Sequence, residues 1–390
     1  MATAVAVTPR SDRWWALAIG TGLALSPIHN VWLTQLTTND RGETLFFLPA
    51  FGYLVLIMSS GLFLVNHWER VKAAGWGDKR VVGCLLFIVL AMALSGSAYN
   101  SLEDKVAPLG MGLVLLALYM AGRVLGPRVF LPFWIGSMVA CAGVFAYAAL
   151  HPGSYTGGYV FETNFDILVG YVLLGAALCF NRLRWVVASI ALLAMVVSGA
   201  PEALLPLGVI GIAVLARRDW SRRTVYAVAP TLAIAVLLLA TGHAGTIYSY
   251  IVRTITGDTT MVAGTLPDGE VISGQSPLSW RWEQIRLAMT TLQPLGAGYN
   301  ATAFTITTVH NVPLILVQQM GYPGILAALA WLYVTFFALV KTPWRYFWLL
   351  VLALSVFDHY LWDQLGPVWW LALGAASSVY TKTDTVFRRE

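Results

Sequence analysis

Residues 310–341 read HNVPLILVQQMGYPGILAALAWLYVTFFALVK, and no Asp, Glu, Lys or Arg falls between His310 and Lys341. An apolar run of ~18 or more residues with few charges is long enough to cross a bilayer as a helix. Asn311 offers an N-cap, and Pro313 lies in the first turn, where its missing N–H is tolerated. Gln318 follows Asn311 by two turns and so returns to the same face. The Gly321-Tyr322-Pro323-Gly324 cluster predicts a kink, or a break into a short lead-in piece and a span.

Runs of this kind recur along the chain. They fall at 14–33, 45–66, 81–98, 107–124, 129–150, 164–180, 184–199, 201–216, 225–243, 311–340, 345–361 and 365–380. The expectation is an all-α polytopic membrane protein with about 12 transmembrane helices, forming a single transmembrane domain over 1–390. Composition agrees: 58% of the 390 residues are hydrophobic, 11% are charged, and the mean hydropathy is +0.70. A soluble chain carries roughly 25% charge, so a soluble enzyme, a disordered tail and a nucleic-acid binder all fit poorly. Cys84, Cys141 and Cys179 lie within apolar runs and offer no disulfide framework.

Charge sorting sets the orientation. With both termini in the cytoplasm, inner loops hold nineteen of the 24 basic residues, among them Arg10, Arg13, Arg70, Lys72, Arg123 and Arg128. Arg41, Lys105, Arg253, Arg281 and Arg286 are left on the outer side. No cleavable signal peptide is expected, since the first apolar run continues through ALSPIHNVWL, where a cleavage site would fall. No internal repeat and no paired broken helices of the transporter kind stand out.

Loops are short except 244–310, a long extracytoplasmic loop between predicted helices 9 and 10. A loop of this length inside a compact bundle is more often functional than not. Its Gly- and Thr-rich first half, with Pro267-Asp268-Gly269, reads as surface. From Ser279, SWRWEQIRLAMTTLQP reads as an amphipathic helix capped by Ser279 and closed by Pro294. Ile285, Ala288, Met289 and Leu292 share one face at ~100° per residue. Arg281 falls on that apolar face and needs a partner or an anionic ligand. Arg286 points to the polar side with Glu283 and Thr290, as a solvated or headgroup-contacting residue.

His310 sits where the chain re-enters the bilayer, and two readings stand. It is a general base for a hydroxyl proton, or an interfacial residue anchoring the helix. Asp358, His359, Tyr360, Asp363 and Gln364 form a second polar cluster at the same outer face, costly near lipid unless they line a cavity. Glu202 and Glu162 are further candidates. Trp362, Trp369 and Trp370 read as ordinary interfacial anchors. Phosphate-loop, zinc-protease and nucleophile-elbow motifs are absent. Gly157-Gly158-Tyr159 is too short to mean nucleotide binding. Asp/Glu pairs at metal spacing do not stand out, so cationic side chains, not a metal, are expected at any phosphate.

The succession SPLSWRWEQIRLAMTTLQPLGAGYNATAF, HNVPLILVQQMGYPGI and FDHYLWDQLG resembles the bacterial O-antigen ligase/O-antigen polymerase superfamily of integral membrane glycosyltransferases. That family shows Ser-x-x-Arg before a Trp-bearing helix ending in Pro-x-x-Gly-x-Gly, then His-Asn-x-x-Leu and Gly-x-x-Gly opening a late helix. The matching positions are Ser279 (two before the Arg), Arg281, Pro294, Gly296, Gly298, His310, Asn311, Leu314, Gly321 and Gly324. Asn164 matches an Asn of the family's Gly-x-Phe-x-Asn-Pro-Asn segment, and the likeness spans roughly 155–375.

The resemblance implies transfer of a glycan from a polyprenyl diphosphate carrier to an acceptor hydroxyl, with inversion, on the outer face of the bacterial cytoplasmic (inner) membrane. His310 and Arg281 would be catalytic. Asn311, Arg286, Arg253, Asn164, Glu202, Asp358, His359 and Tyr360 would bind substrate. Neither metal nor cofactor is required. The partners are the carrier-linked oligosaccharide donor, a glycolipid or carrier-linked acceptor and the bilayer, with no nucleic acid. Two departures are visible. Ser198-Gly199-Ala200-Pro201-Glu202 replaces a segment that carries a second phosphate-binding Arg, a role open here to Arg253 or Arg286. Gln319 replaces an acid near the helix kink. The alternative is a transporter or flippase of a lipid-linked or anionic substrate. That class needs polar residues through the middle of several helices, whereas nearly all charges here lie at helix ends.

Overall fold

The computed structural model describes residues 10–25, 51–95, 102–139, 264–265, 271–272, 285–286, 289–290, 292–298, 311–342, 344–357, 361–362 and 365–387. They form helices α1 (Arg10–Leu25), α2 (Phe51–Asn66), α3 (Trp68–Ala74), α4 (Lys79–Ser95) and α5 (Leu102–Leu125). A 3₁₀ turn, Gly126–Val129, leads into α6 (130–139). Helices α7 (Val312–Lys341), α8 (Arg345–Phe357) and α9 (Gly366–Phe387) follow. Two residues of β1 (Gly264–Thr265) pair antiparallel with two of β2 (Val271–Ile272), bracketing the Pro267-Asp268-Gly269 turn signal. The regular secondary structure of the described residues is otherwise helical, and the stretches Pro108–Val139 and Val312–Lys341 are long and apolar enough to cross a membrane.

Of α1–α9, all but α3 overlap an apolar run read from the sequence, because burial of an apolar face and backbone self-satisfaction demand the same segments; α3, WERVKAA, lies between the runs at 45–66 and 81–98. The predicted spans at 164–180, 184–199, 201–216 and 225–243 lie outside the described residues. Buried hydroxyls bond within their own helices: Ser60 to the Leu56 carbonyl (2.7 Å), Ser137 to Phe133 (2.8 Å) and Thr335 to Trp331 (2.8 Å). This is how a hydroxyl is satisfied where water is absent.

The chain divides into two compact units, one of 1–77, 115–184 and 364–390, the other of 78–114 and 185–363. In the first, α1 and α2 pack antiparallel: Trp15 meets the Phe63 ring edge-on at 5.9 Å, and Gly22 abuts Leu56. The α1 helix also meets the 3₁₀ turn and α6, where a Cβ on Gly20 would stand 2.6 Å from the Val129 carbonyl oxygen. The C-terminal part of α5 crosses α9 through two glycines. A Cβ on Gly122 would strike the Leu371 carbonyl, and one on Gly374 the Tyr119 carbonyl. Backbones this close are the usual reason for small residues at membrane helix crossings.

Arg123 of α5 is buried beside that crossing. Its Nε donates to the Gly75 carbonyl (2.8 Å), Nη2 to Ala74 (2.7 Å) and Nη1 to Ser377 Oγ (2.6 Å). The guanidinium thus caps the C-terminal end of α3, where carbonyls lack helical partners and carry partial negative charge. Arg123, expected only to orient the chain, is also a structural tie.

In the second unit α7 packs against α4 and α8. Its buried side carries Ala327, Ala328, Trp331, Val334, Thr335 and Ala338. Its exposed side carries Ile325, Leu326, Leu329, Tyr333, Phe336 and Val340, and α2 similarly exposes Leu54, Met58, Leu62 and Val65. Continuous exposed stripes of this kind would be a liability in water and are the expected surface against lipid.

Candidate functional site

The break foreseen at Gly321 is the centre of the candidate site. Gly321 adopts φ 65° and ψ −136°, outside helical space and in a region that favours glycine. In an unbroken helix the Tyr322 N–H would bond to the Gln318 carbonyl. Instead it donates to the carbonyl of Pro294 (3.0 Å). The carbonyls of Gln318 and Gln319 are taken by the N–H groups of Ala297 (2.9 Å) and Gly298 (2.9 Å). Residues 294–298 therefore replace the helical bonds that the break removes, each of which would be expensive to leave unmade in an apolar setting.

The glycine spacing follows from this contact. Gly296 and Gly298 have φ of 76° and 99°. A Cβ on Gly296 would strike the Gln319 carbonyl, and one on Gly321 would strike those of Gln293 and Pro294. Gly324 lies against the backbone of Leu316 and Val317. In a continuous helix residues eight apart are ~12 Å apart along the axis, so the chain bends sharply here. It separates a nine-residue lead-in helix, 312–320, from a twenty-residue helix, 322–341. The second piece is ~30 Å long, enough for the hydrocarbon core, and the first, at ~14 Å, is not.

The lead-in helix starts at Asn311, which caps it from extended backbone: Oδ1 accepts the Leu314 N–H at 3.1 Å. The same amide donates through Nδ2 to the Val356 carbonyl (3.0 Å), in the last turn of α8. Near the other end of the lead-in helix, buried Gln319 accepts at Oε1 the indole N–H of Trp362 (2.8 Å).

Of the residues singled out from sequence, Asn311 and Arg286 are described. Arg286 is exposed on a helical turn, and its carbonyl accepts Thr290 Oγ1 at 2.9 Å, in keeping with the polar side expected for it. Ile285 and Leu292 are half-buried, but Met289, expected on the same apolar face, is largely exposed, so that face is turned partly outward. His310, Arg281, Arg253, Asn164, Glu202, Asp358, His359 and Tyr360 lie outside the described residues, as do Glu162, Ser279, Asp363 and Gln364.

The reading of three tryptophans as interfacial anchors is corrected. Trp362, Trp369 and Trp370 are each buried to within 3% of full occlusion. Trp369 and Trp370 meet edge to face at 5.4 Å, and Trp362 is tied to Gln319. Their flanking polar residues suggested an interface, but packing claimed the rings. The Trp362–Gln319 pair was missed. Its signal was two adjacent amides, Gln318-Gln319, in an apolar run that had to find partners. Among the described residues no group of three His, Cys, Asp or Glu side chains gathers as a metal site would require.

The sequence matches no protein-family model, and it matches no curated protein.

Proposed function

We propose that this chain is a polytopic membrane glycosyltransferase of O-antigen ligase or polymerase type. In this reading it moves a glycan from a polyprenyl diphosphate carrier to an acceptor hydroxyl at the outer face of the bacterial cytoplasmic membrane. The observation that carries this reading is the bonding of 294–298 to the Gly321 break. The two glycine motifs on which the family likeness rests are direct partners across more than twenty residues of sequence, so they act as one element.

The chemistry assigned to the site is a single displacement. The acceptor hydroxyl oxygen attacks the anomeric carbon, the carbon–oxygen bond to diphosphate breaks, and the polyprenyl diphosphate departs with inversion. His310 takes the hydroxyl proton. Arg281 neutralises charge developing on the diphosphate, a preorganised electrostatic role. Arg286, Arg253, Asn164, Glu202, Asp358, His359 and Tyr360 contact donor or acceptor. Asn311, whose amide is engaged at both ends, serves by fixing the backbone that follows His310. The reaction needs no metal.

The test is a purified assay with a polyprenyl-diphosphate oligosaccharide donor, offering core lipid or a second carrier-linked repeat as acceptor. Arg281→Ala and His310→Ala abolish transfer while inserting normally. Full transfer by both variants rejects the proposal, and product length separates ligase from polymerase.

A further inference from the structure

Asp12, in the first turn of α1, is 1% exposed and lies beneath two arginines. Arg70 grips it with two bonds, Nη1 to Oδ1 at 2.6 Å and Nη2 to Oδ2 at 3.0 Å. Arg128, from the 3₁₀ turn, adds Nη1 to Oδ2 at 3.3 Å. One carboxylate balances only one of the two guanidinium charges. The arginines remain 41% and 46% exposed, so the excess charge is presented outward from a fixed base. The hydrogen bonding that Arg70 donates to Asp12 outweighs partial desolvation and holds the Arg70 guanidinium above its ordinary value.

Depth is set by what flanks the trio. The exposed stripe of α2 ends at Val65, and His67, one turn before Arg70, stacks on Phe63 at 4.7 Å. Two residues from Asp12 and Arg70 stand Trp14 and Trp68, 64% and 57% exposed. Indoles exposed beside basic residues at the end of a lipid-facing stripe mark the headgroup level of a bilayer. Five N–H donors per guanidinium, arranged as a planar fork, suit phosphate oxygens, and Arg128 uses one of its five on Asp12.

We infer that Arg70 and Arg128, oriented by Asp12, form a binding site for the phosphate of an anionic phospholipid headgroup. The inference rests on the membrane-spanning reading and not on glycosyl transfer, so its test is a lipid-binding one and failure of the transfer assay leaves it untouched. A structural ion pair alone would need one arginine, already bidentate. The second arginine, half-exposed and singly bonded, is what the headgroup accounts for.

The full-length protein is purified in a neutral detergent, and its unfolding midpoint is followed as phosphatidylglycerol, phosphatidylcholine or inorganic phosphate is added. A ligand that binds only the folded state raises the midpoint. Phosphatidylglycerol raises it by several degrees beyond phosphatidylcholine, and inorganic phosphate does not. The Arg70→Gln/Arg128→Gln double variant loses most of that gain. Arg128→Gln alone leaves the bidentate pair intact, so it remains foldable, and it loses about half. Asp12→Asn lowers the midpoint in phosphatidylcholine and also loses part of the phosphatidylglycerol gain, because both cations persist but are no longer held in place. Arg345→Gln, on another helix, keeps the whole gain. An unchanged gain in the arginine variants, or an equal gain from inorganic phosphate, overturns the inference.

Discussion

The indole N–H of Trp362 donates a 2.8 Å hydrogen bond to Oε1 of Gln319, and both side chains are buried. Gln319 stands one residue before the glycine at which α7 breaks. The bond therefore ties the segment after α8 to the end of the lead-in helix. Trp362→Phe keeps most of the ring volume and removes the donor of this buried bond. It lowers stability by about 1–3 kcal/mol, read as the shift in unfolding free energy in detergent. Trp362→Phe combined with Gln319→Leu recovers part of that loss, since an apolar pair leaves no polar atom stranded. A double variant as unstable as the sum of the singles would contradict the pairing.

Gly321→Ala and Gly296→Ala each place a methyl group on a carbonyl across the 294–298 contact, in backbone with positive φ. Each is expected to lower stability by more than ~2 kcal/mol, because neither chain can withdraw without breaking its hydrogen bonds. Gly61→Ala and Gly83→Ala serve as the contrast. Both lie in helices with nothing within 4 Å of the added methyl, and each stabilises by about 0.5–1 kcal/mol. Thermal unfolding of the four variants measures the difference.

Arg123→Met removes three hydrogen bonds at once and leaves the Ala74 and Gly75 carbonyls uncapped. The expected loss is about 3–5 kcal/mol, as for breaking a buried charged network. Arg123→Lys rescues little, because a single ammonium cannot reproduce the fork that serves two carbonyls and a hydroxyl. In a double-mutant cycle Arg123 and Ser377, which share a hydrogen bond, couple.

Asn311→Ala loses both the helix cap and the bond to Val356, and lowers stability by about 1–2 kcal/mol. Asn311→Asp keeps the cap acceptor, and its charge is favourable at a helix N-terminus, yet it loses the donor to Val356. Under the proposed function, Asn311→Ala depresses glycan transfer more than it depresses stability, through displacement of the neighbouring His310. Arg286→Ala, at an exposed position, leaves stability within ~0.5 kcal/mol and, under the proposed function, lowers glycan transfer. Transfer rate and unfolding midpoint, measured on the same preparations, separate the two effects.

Much of this is legible in the sequence. The long helices follow from apolar runs, the cap at Asn311 from an amide before Val-Pro, and the break at Gly321 from Gly-Tyr-Pro-Gly. All are local, since a helix is a property of neighbours three and four residues apart and a breaker acts where it stands. Sequence likewise placed Arg286 on a polar face, because one turn of helix decides that.

Tertiary structure alone decided the partners. The bonding of Gly296 and Gly298 to the carbonyls freed at Gly321 joins residues far apart along the chain, and no periodicity carries that information. Trp362, Trp369 and Trp370 have the composition of an interface, but the space between helices took them inside. Asp12 and Arg123 look like loop charges in a topology count, yet both are buried where several segments meet. The physical reason is the same throughout. Local pattern fixes which backbone groups pair within a helix, whereas long-range packing chooses which side chains must be satisfied, and by whom.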